Sequence, residues 1–169
     1  MSGPSGSGAA APTPTARLAV SCGALIFDSL GRLLVLKPTY KAGWTLPGGQ
    51  MEADGESPWD ACRREVSEEC GVDVPSASLA CVDFLRSRPG KPGGLRFLFD
   101  CGSVPDDTLA RLTLPPDEIA DYRLADVVAA QALLSGPLRR RVQAAIGRRG
   151  VVYLEDGLPV PTVPQPPSA

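Results

Sequence analysis

The sequence contains no histidine among its 169 residues. This absence excludes a Ser-His-Asp triad, a Cys-His dyad, a histidine-ligated zinc or haem, and a histidine general base. Any catalysis by this chain must therefore depend on carboxylates, lysine, arginine, tyrosine, cysteine or a metal ion held by oxygen ligands.

Paired cysteines, apolar runs of membrane length and an excess of one charge are missing as well. The five cysteines are dispersed and form no C-x-x-C pair, so we interpret them as buried small hydrophobes in a reducing compartment. No apolar run approaches the roughly 20 residues that span a bilayer, and no signal peptide pattern is visible. The net charge of −2 argues against non-specific binding to nucleic acid. We expect a soluble cytoplasmic protein with neither a nucleic-acid partner nor a membrane partner.

The composition divides the chain into one domain and two tails. Residues 1–16 contain only Met, Ser, Gly, Pro, Ala and Thr, and residues 158–169 are rich in proline, so both ends are predicted to be disordered. Residues 17–157 are expected to form the folded domain. Apolar and alternating runs predict strands at residues 18–27, 32–37, 79–85 and 94–99, and helices at 57–70, after Asp126 and around Leu138 to Ile146. This order indicates an α+β fold.

The most informative segment is the predicted helix at residues 57–70. Glu65, Glu68 and Glu69 stand at positions i, i+3 and i+4 and therefore share one face. Three like charges on one face are unfavourable unless a cation neutralises them, and oxygen ligands favour a hard ion such as Mg²⁺ or Mn²⁺. A solvated acidic face is the commoner origin of such a pattern, so the flanking residues have to decide.

The flanking residues resemble the signature of the Nudix hydrolases, the MutT-like family, written G-x5-E-x7-R-E-U-x-E-E-x-G-U with U an aliphatic residue. The second half matches residue by residue, from Arg64 to Val72, and the spacing from Glu56 to Arg64 also agrees. One residue is inserted near Ala53 and Asp54, because six residues rather than five separate Gly49 from Glu56. The resemblance implies the family's α/β/α sandwich with a mixed sheet.

The resemblance also implies a role for each matching position. The carbonyl of Gly48, together with Glu65, Glu68 and Glu69, would bind one or more Mg²⁺ or Mn²⁺ ions. Glu56 and Arg64 would brace the preceding loop and orient a catalytic carboxylate. The implied reaction is metal-assisted attack of water on a diphosphate linkage of a nucleotide or another small diphosphate. Glu69, Glu65 or Glu118 would serve as the base.

Several residues outside the signature are weaker candidates. Trp44 is either a base-stacking residue or a packed structural aromatic, and Arg86 and Arg96 either bind the substrate or belong to solvated basic segments. The arginines at 139–141, 148 and 149 are interpreted as the solvated side of the last helix. An alternative function also stays open: a catalytically weak nucleotide-binding sensor or scaffold with the same fold. The sequence leaves the oligomeric state undecided between a monomer and a homodimer.

Overall fold

A computed structural model describes residues 15–168 of the chain. Seven strands form one mixed sheet in the order β5-β2-β1-β4-β3-β6-β7. The β1–β4 and β3–β6 pairs are parallel, and the other pairs are antiparallel. The elements, in chain order, are β1 (Ala19–Phe27), β2 (Leu33–Pro38), α1 (Pro58–Cys70), β3 (Ser78–Leu85), β4 (Gly94–Ser103), α2 (Asp106–Leu109), β5 (Ile119–Ala125), α3 (Val127–Leu133), α4 (Gly136–Ala145), β6 (Val152–Glu155) and β7 (Leu158–Pro159).

Two hydrophobic clusters lie on opposite faces of the sheet. Alternation along β1 divides its side chains between them: Cys22, Ala24 and Ile26 face the cluster that contains α1, whereas Leu25 faces the cluster of α3 and α4. The sheet therefore lies between two helical layers. The expected α+β sandwich with a mixed sheet is confirmed.

Strands β1 and β2 follow one another in the chain but pair as a hairpin only in part. Phe27 and Leu33 are the single registered pair of these strands, while most of β2 pairs with β5. The reason is the segment at residues 47–51, which contributes three backbone hydrogen bonds to β1 and fills the space beside it. We call this segment the glycine loop, because it contains Gly48 and Gly49.

The sequence missed four elements and shortened one. The missed elements are α2, β5 and the hairpin of β6 and β7, and β4 continues to Ser103 rather than ending at Phe99. The β6–β7 hairpin turns at Asp156 and Gly157, which both have positive φ (52° and 77°), as an Asp-Gly type I′ turn requires.

The hairpin extends the sheet beyond residue 157, where the sequence ended the domain. Gln165 Nε2 then donates to the Tyr153 carbonyl at 3.1 Å. The division into a domain and two tails stays a prediction, and residues 1–14 and 169 lie outside the described residues. Among residues 15–168, every helix is too short or too polar to cross a bilayer.

Candidate active site

Helix α1 has a firmly defined start and end. The Ser57 hydroxyl accepts a hydrogen bond from the Asp60 amide at 3.1 Å, and the Asp60 carboxylate accepts one from the Ser57 amide at 3.3 Å. Pro58 occupies the first turn, where its missing N–H has no cost. Gly71 ends the helix with a φ of 67°, a left-handed conformation that suits glycine. The register of the glutamate face is therefore fixed at both ends.

The apolar side of α1 holds the helix against the sheet. Cys62, Val66 and Cys70 are fully buried, and the ring of Trp59 lies 5.2 Å from the ring of Phe99 on β4. Trp59, Cys62, Val66 and Cys70 recur at the spacing of an amphipathic helix and form its apolar stripe. They fix the rotation of α1 about its axis and direct its glutamates toward the glycine loop.

The glycine loop runs antiparallel along the outer edge of β1. The amides of Ala24 and Cys22 donate to the carbonyls of Pro47 and Gly49 at 2.8 and 2.9 Å. A Cβ atom at Gly48 would lie 2.4 Å from the Cys22 carbonyl oxygen, and one at Gly49 would lie 2.3 Å from the Glu65 carboxylate. Gly48 therefore requires glycine, because a side chain there would meet the backbone of β1. At Gly49 a side chain would instead displace the Glu65 carboxylate of α1.

Glu69 and Glu65 meet the glycine loop from the helix side. The carboxylate of Glu69 is buried and accepts a hydrogen bond from the Gly48 amide at 2.8 Å. Burial raises the pKa of Glu69 to about 7, and the charges of Glu65 and Glu118 add to this effect. Burial also raises the pKa of Glu65, although the Arg64 guanidinium opposes it. The two carboxylates thus carry charge that their surroundings only partly compensate.

Arg64 connects the preceding loop with the glutamate face. Its Nε and Nη2 donate to the two oxygens of Glu56 at 2.8 and 3.1 Å, which lowers the pKa of that carboxyl. Its Nη1 donates to Glu65 at 2.9 Å and to Glu68 at 3.2 Å. Nη2 also donates to the Gln50 carbonyl at 3.1 Å. One guanidinium therefore fixes the loop and two of the three glutamates.

The inserted residue is accommodated in an exposed turn before α1. The Glu56 amide donates to Asp54 at 3.0 Å, the Glu56 carboxylate accepts from the Glu52 amide at 2.8 Å, and Gly55 has a φ of 100°. The extra residue thus lengthens the turn without separating Glu56 from Arg64.

The oxygen ligands at the glutamate face suit a hard cation in their chemistry. Within residues 15–168, no three His, Cys, Asp or Glu side chains converge closely enough to hold an ion as they stand, and Arg64 occupies both Glu65 and Glu68. The chemistry nevertheless fits, because the carboxylates raise one another's pKa and offer only oxygen. In the same part of the chain, no N–H donates to the Gly48 carbonyl, whereas the carbonyls on either side are both paired.

Two further loops approach the glutamates. The Thr39 amide donates to the Glu118 carbonyl at 2.8 Å, which joins the loop after β2 to the loop before β5. The charge of Glu118 raises the pKa of Glu65 and Glu69, and that of Lys41 lowers the pKa of Glu69. Sequence reasoning had suggested Glu118 but missed Lys41 and Tyr40, since no spacing rule links that loop to the helix.

A cleft of about 340 Å³ lies on the opposite face of the sheet from α1. Trp44 and Arg96 both line it, as the sequence had suggested for substrate contacts, and Arg123 lies over the Trp44 ring at 4.7 Å. Cys22 and Gly23 of its floor adjoin the glycine loop, and Lys41 lies in its wall. Its other lining residues are Ser21, Ala42, Thr45, Leu46, Phe97, Leu98, Ser135, Pro137, Leu138 and Arg141.

Two other arginines have partners within the protein. Arg86 is paired with Glu155 and, at 3.0 Å, with Asp156, and it lines a separate cavity of about 180 Å³. The structure therefore does not bring Arg86 to the cleft. Arg141 is buried and bonded to Asp83 at 2.6 Å, so its interpretation as part of a solvated helix side was wrong. The buried Asp83 on β3 neutralises it, which local sequence cannot reveal.

Comparison with known proteins places this geometry in a family. A family model described as NUDIX domain matches residues 17–145. The MutT-like protein of Streptomyces ambofaciens is 33% identical over 120 residues, and the match covers 68% of this chain and 74% of that protein.

Solved structures share the fold. The MutT protein of Methanosarcina mazei Go1 superposes with a TM-score of 0.63 at 24% identity, covering 74% of this chain and 90% of that one. The NUDIX domain of Shewanella oneidensis NrtR, complexed with ADP ribose, gives a TM-score of 0.62 at 14% identity, covering 76% and 86%. The sandwich, the glycine loop and the braced glutamate helix agree with the match over residues 17–145, and the chain belongs to the NUDIX domain family.

Proposed function

We propose that this protein is a Mg²⁺- or Mn²⁺-dependent hydrolase that cleaves a diphosphate linkage in a nucleoside diphosphate derivative. The observation that carries the proposal is the convergence of Glu65 and Glu69 on the glycine loop, with Arg64 holding Glu56, Glu65 and Glu68 in place. Family membership supports hydrolysis in general, and the residues of this site support the narrower reaction.

The metal ligands would be the carboxylates of Glu65, Glu68 and Glu69 and the carbonyl of Gly48. When bound, the ion would polarise phosphate oxygens, make water more acidic and balance the charge that develops in the transition state. Arg64 is a positioning residue, because its hydrogen bonds restrict where Glu65 and Glu68 lie.

The protein must also accept a proton from the attacking water. Glu69 suits this role because its carboxylate is buried and held at the glycine loop by the Gly48 amide at 2.8 Å. Glu65 and Glu118 are the other candidates. The turnover rates of the three glutamine variants, measured across pH, distinguish these candidates. Loss of the base should remove the fall in rate that the wild type shows as the pH becomes acidic.

The cleft is the proposed site for the remainder of the substrate. Trp44 offers an aromatic surface for a base, and Arg96 offers hydrogen-bond donors. The Shewanella NUDIX domain was solved with ADP ribose, a nucleoside diphosphate derivative, which supports this class of ligand.

The proposal is tested with a panel of nucleoside diphosphate derivatives, with and without Mg²⁺ or Mn²⁺, by quantifying the released products. We expect Glu69→Gln to lower turnover by about 100-fold or more, the usual contribution of a general base. Glu52→Gln is the matched control, because Glu52 is exposed and only its backbone takes part in the hydrogen bonds described. Absence of metal-dependent products, together with an unchanged Glu69→Gln protein, would refute the proposal.

The alternative function is a nucleotide-binding sensor or scaffold without turnover. The separation of the three glutamates as they stand in residues 15–168 is the observation that favours it. Calorimetric titration of the same panel distinguishes the two functions, since a sensor would bind a nucleotide while releasing no product with either metal.

A further inference from the structure

The cleft carries positive charge without any acidic residue in its lining. Lys41, Arg96 and Arg141 are its charged residues, and no Asp or Glu lines it. Arg141 is neutralised from below by Asp83, at 2.6 Å. Lys41 lies near Glu69, whose pKa it lowers. Arg96 makes no ion pair within residues 15–168, and the carboxylate of its cross-strand partner Asp83 is bonded to Arg141 instead.

The hydrogen bonds of Arg96 leave part of its donor capacity unused. Within residues 15–168 it donates only through Nη1, to the carbonyls of Leu95 at 2.9 Å and Ala19 at 3.3 Å, and it has no acidic partner within 4.0 Å. A guanidinium carries five N–H donors in a planar fork that matches a carboxylate or a phosphate. Burial and the neighbouring Arg141 lower the pKa of Arg96, and the charge of Asp83 opposes them only in part.

The floor of the cleft gives a ligand room to reach Arg96 from the glycine loop. Gly48 contacts Gly23 on β1, and Arg96 on β4 is in register with Ser21. Two residues along a strand and one step across the sheet separate the Cα atoms of Gly23 and Arg96 by about 8 Å. Ser21 is small and lies between Gln50 of the glycine loop and Arg96, so the route to Arg96 passes over Ser21, whereas Leu46 and Leu98 cover Gly23. A sugar-sized unit can lie between the diphosphate and Arg96.

We propose that Arg96 binds a second anionic group of the ligand, a carboxylate or a phosphate, at the end of the cleft away from the glycine loop. This inference rests on the proposed function for the position of the diphosphate. The ligand class is therefore a nucleoside diphosphate derivative with a further negative charge, held by charge-assisted hydrogen bonds.

The test compares ligand pairs that differ only in the second anion. UDP-glucuronate against UDP-glucose examines a carboxylate, and ADP-ribose 2′-phosphate against ADP-ribose examines a phosphate. Binding is measured by calorimetry in EDTA, where metal-dependent turnover cannot occur. We expect at least one ligand with the second anion to bind about tenfold or more tightly than its counterpart without it, the range of a hydrogen bond to a charged group.

The variants assign the preference to Arg96. Arg96→Gln should reduce the preference to less than twofold, Arg96→Lys should retain part of it, and both should remain folded in urea titrations. Arg111→Gln is the matched control, because Arg111 is exposed, paired with Asp107 and outside the cleft. Equal binding within both pairs, no binding of any of the four ligands, or an unchanged preference in Arg96→Gln would overturn the inference.

Failure of the proposed function is a separate result. Turnover of any substrate with Mg²⁺ but no anion preference would refute only the anion site. A preference that depends on Arg96 in a protein without turnover would retain the anion site and refute the hydrolase.

Discussion

Replacing Asp83 by asparagine should strongly destabilise the protein. Asp83 is fully buried on β3, and its two oxygens accept hydrogen bonds from Arg141 at 2.6 Å and from the Gly157 amide at 2.9 Å. Asparagine keeps an acceptor for Gly157 but leaves the Arg141 guanidinium, which is about one-tenth exposed, without a counter-charge. Breaking a buried ion pair from one side costs about 3–5 kcal/mol, a large share of the roughly 5–15 kcal/mol that stabilises a typical domain.

Urea unfolding of Asp83→Asn, Arg141→Met and the double variant measures this effect. The double variant should recover part of the loss, because it removes both charges rather than leaving one uncompensated. Asp107→Asn is the control, since its pair with Arg111 is exposed on both sides and should contribute less than about 1 kcal/mol. A loss below about 1 kcal/mol for Asp83→Asn, equal to that control, would refute the argument.

Three further predictions concern the glycine loop, pH and the thiols. Gly49→Ala should reduce turnover while the protein stays folded, because the new Cβ would displace the Glu65 carboxylate that lies 2.3 Å away; wild-type rates would contradict this. Arg86 lowers the pKa of Asp156, so the charged carboxylate stabilises the fold at pH values above the unfolded pKa near 3.8. The difference in free energy of unfolding between wild type and Asp156→Asn should therefore be present at pH 7 and disappear as the pH falls below that value. A gap that is independent of pH would show that the charge is not responsible. Cys101 is half-buried, whereas the other four cysteines are buried, and burial raises the pKa of Cys70 and Cys81 to about 12. At most one thiol of the folded protein should therefore react rapidly with a disulfide reagent, and Cys101→Ser should remove that reaction.

The parts of the structure that the sequence predicted are those specified by local chemistry. Helix α1 begins at the N-cap Ser57 and ends at Gly71, and its buried side follows the 3.6-residue periodicity of Trp59, Cys62 and Val66. Asp126 caps α3 as expected. The family signature brought Glu56 and Arg64 together across eight residues. These features depend on neighbours along the chain, so a single sequence contains them.

The parts that the sequence missed depend on distant partners. Arg141 is buried only because Asp83 lies 58 residues earlier on β3, and Lys41 approaches Glu69 only because the loop after β2 is tied to Glu118. Strand β5 was missed because Tyr122, Arg123 and Leu124 alternate too briefly to be distinguished from a loop, and its pairing with β2 supplies the remaining stability. Arg86 was suggested for the substrate, yet its partners Glu155 and Asp156 lie about 70 residues away.

The parallel pairing of β1 with β4 has a consequence for the order in which the molecule assembles. Ala19 pairs with Gly94, so closing this central ladder must enclose 75 residues of chain, and such non-local contacts form slowly. The glycine loop obtains three of its hydrogen bonds from β1, and Gly48 is the partner of Glu69. The helix can form early from local signals, but its glutamates gain their final positions only after the sheet closes. Competence for chemistry is therefore acquired at the end of folding, and partly folded chains would carry the acidic helix without a working site.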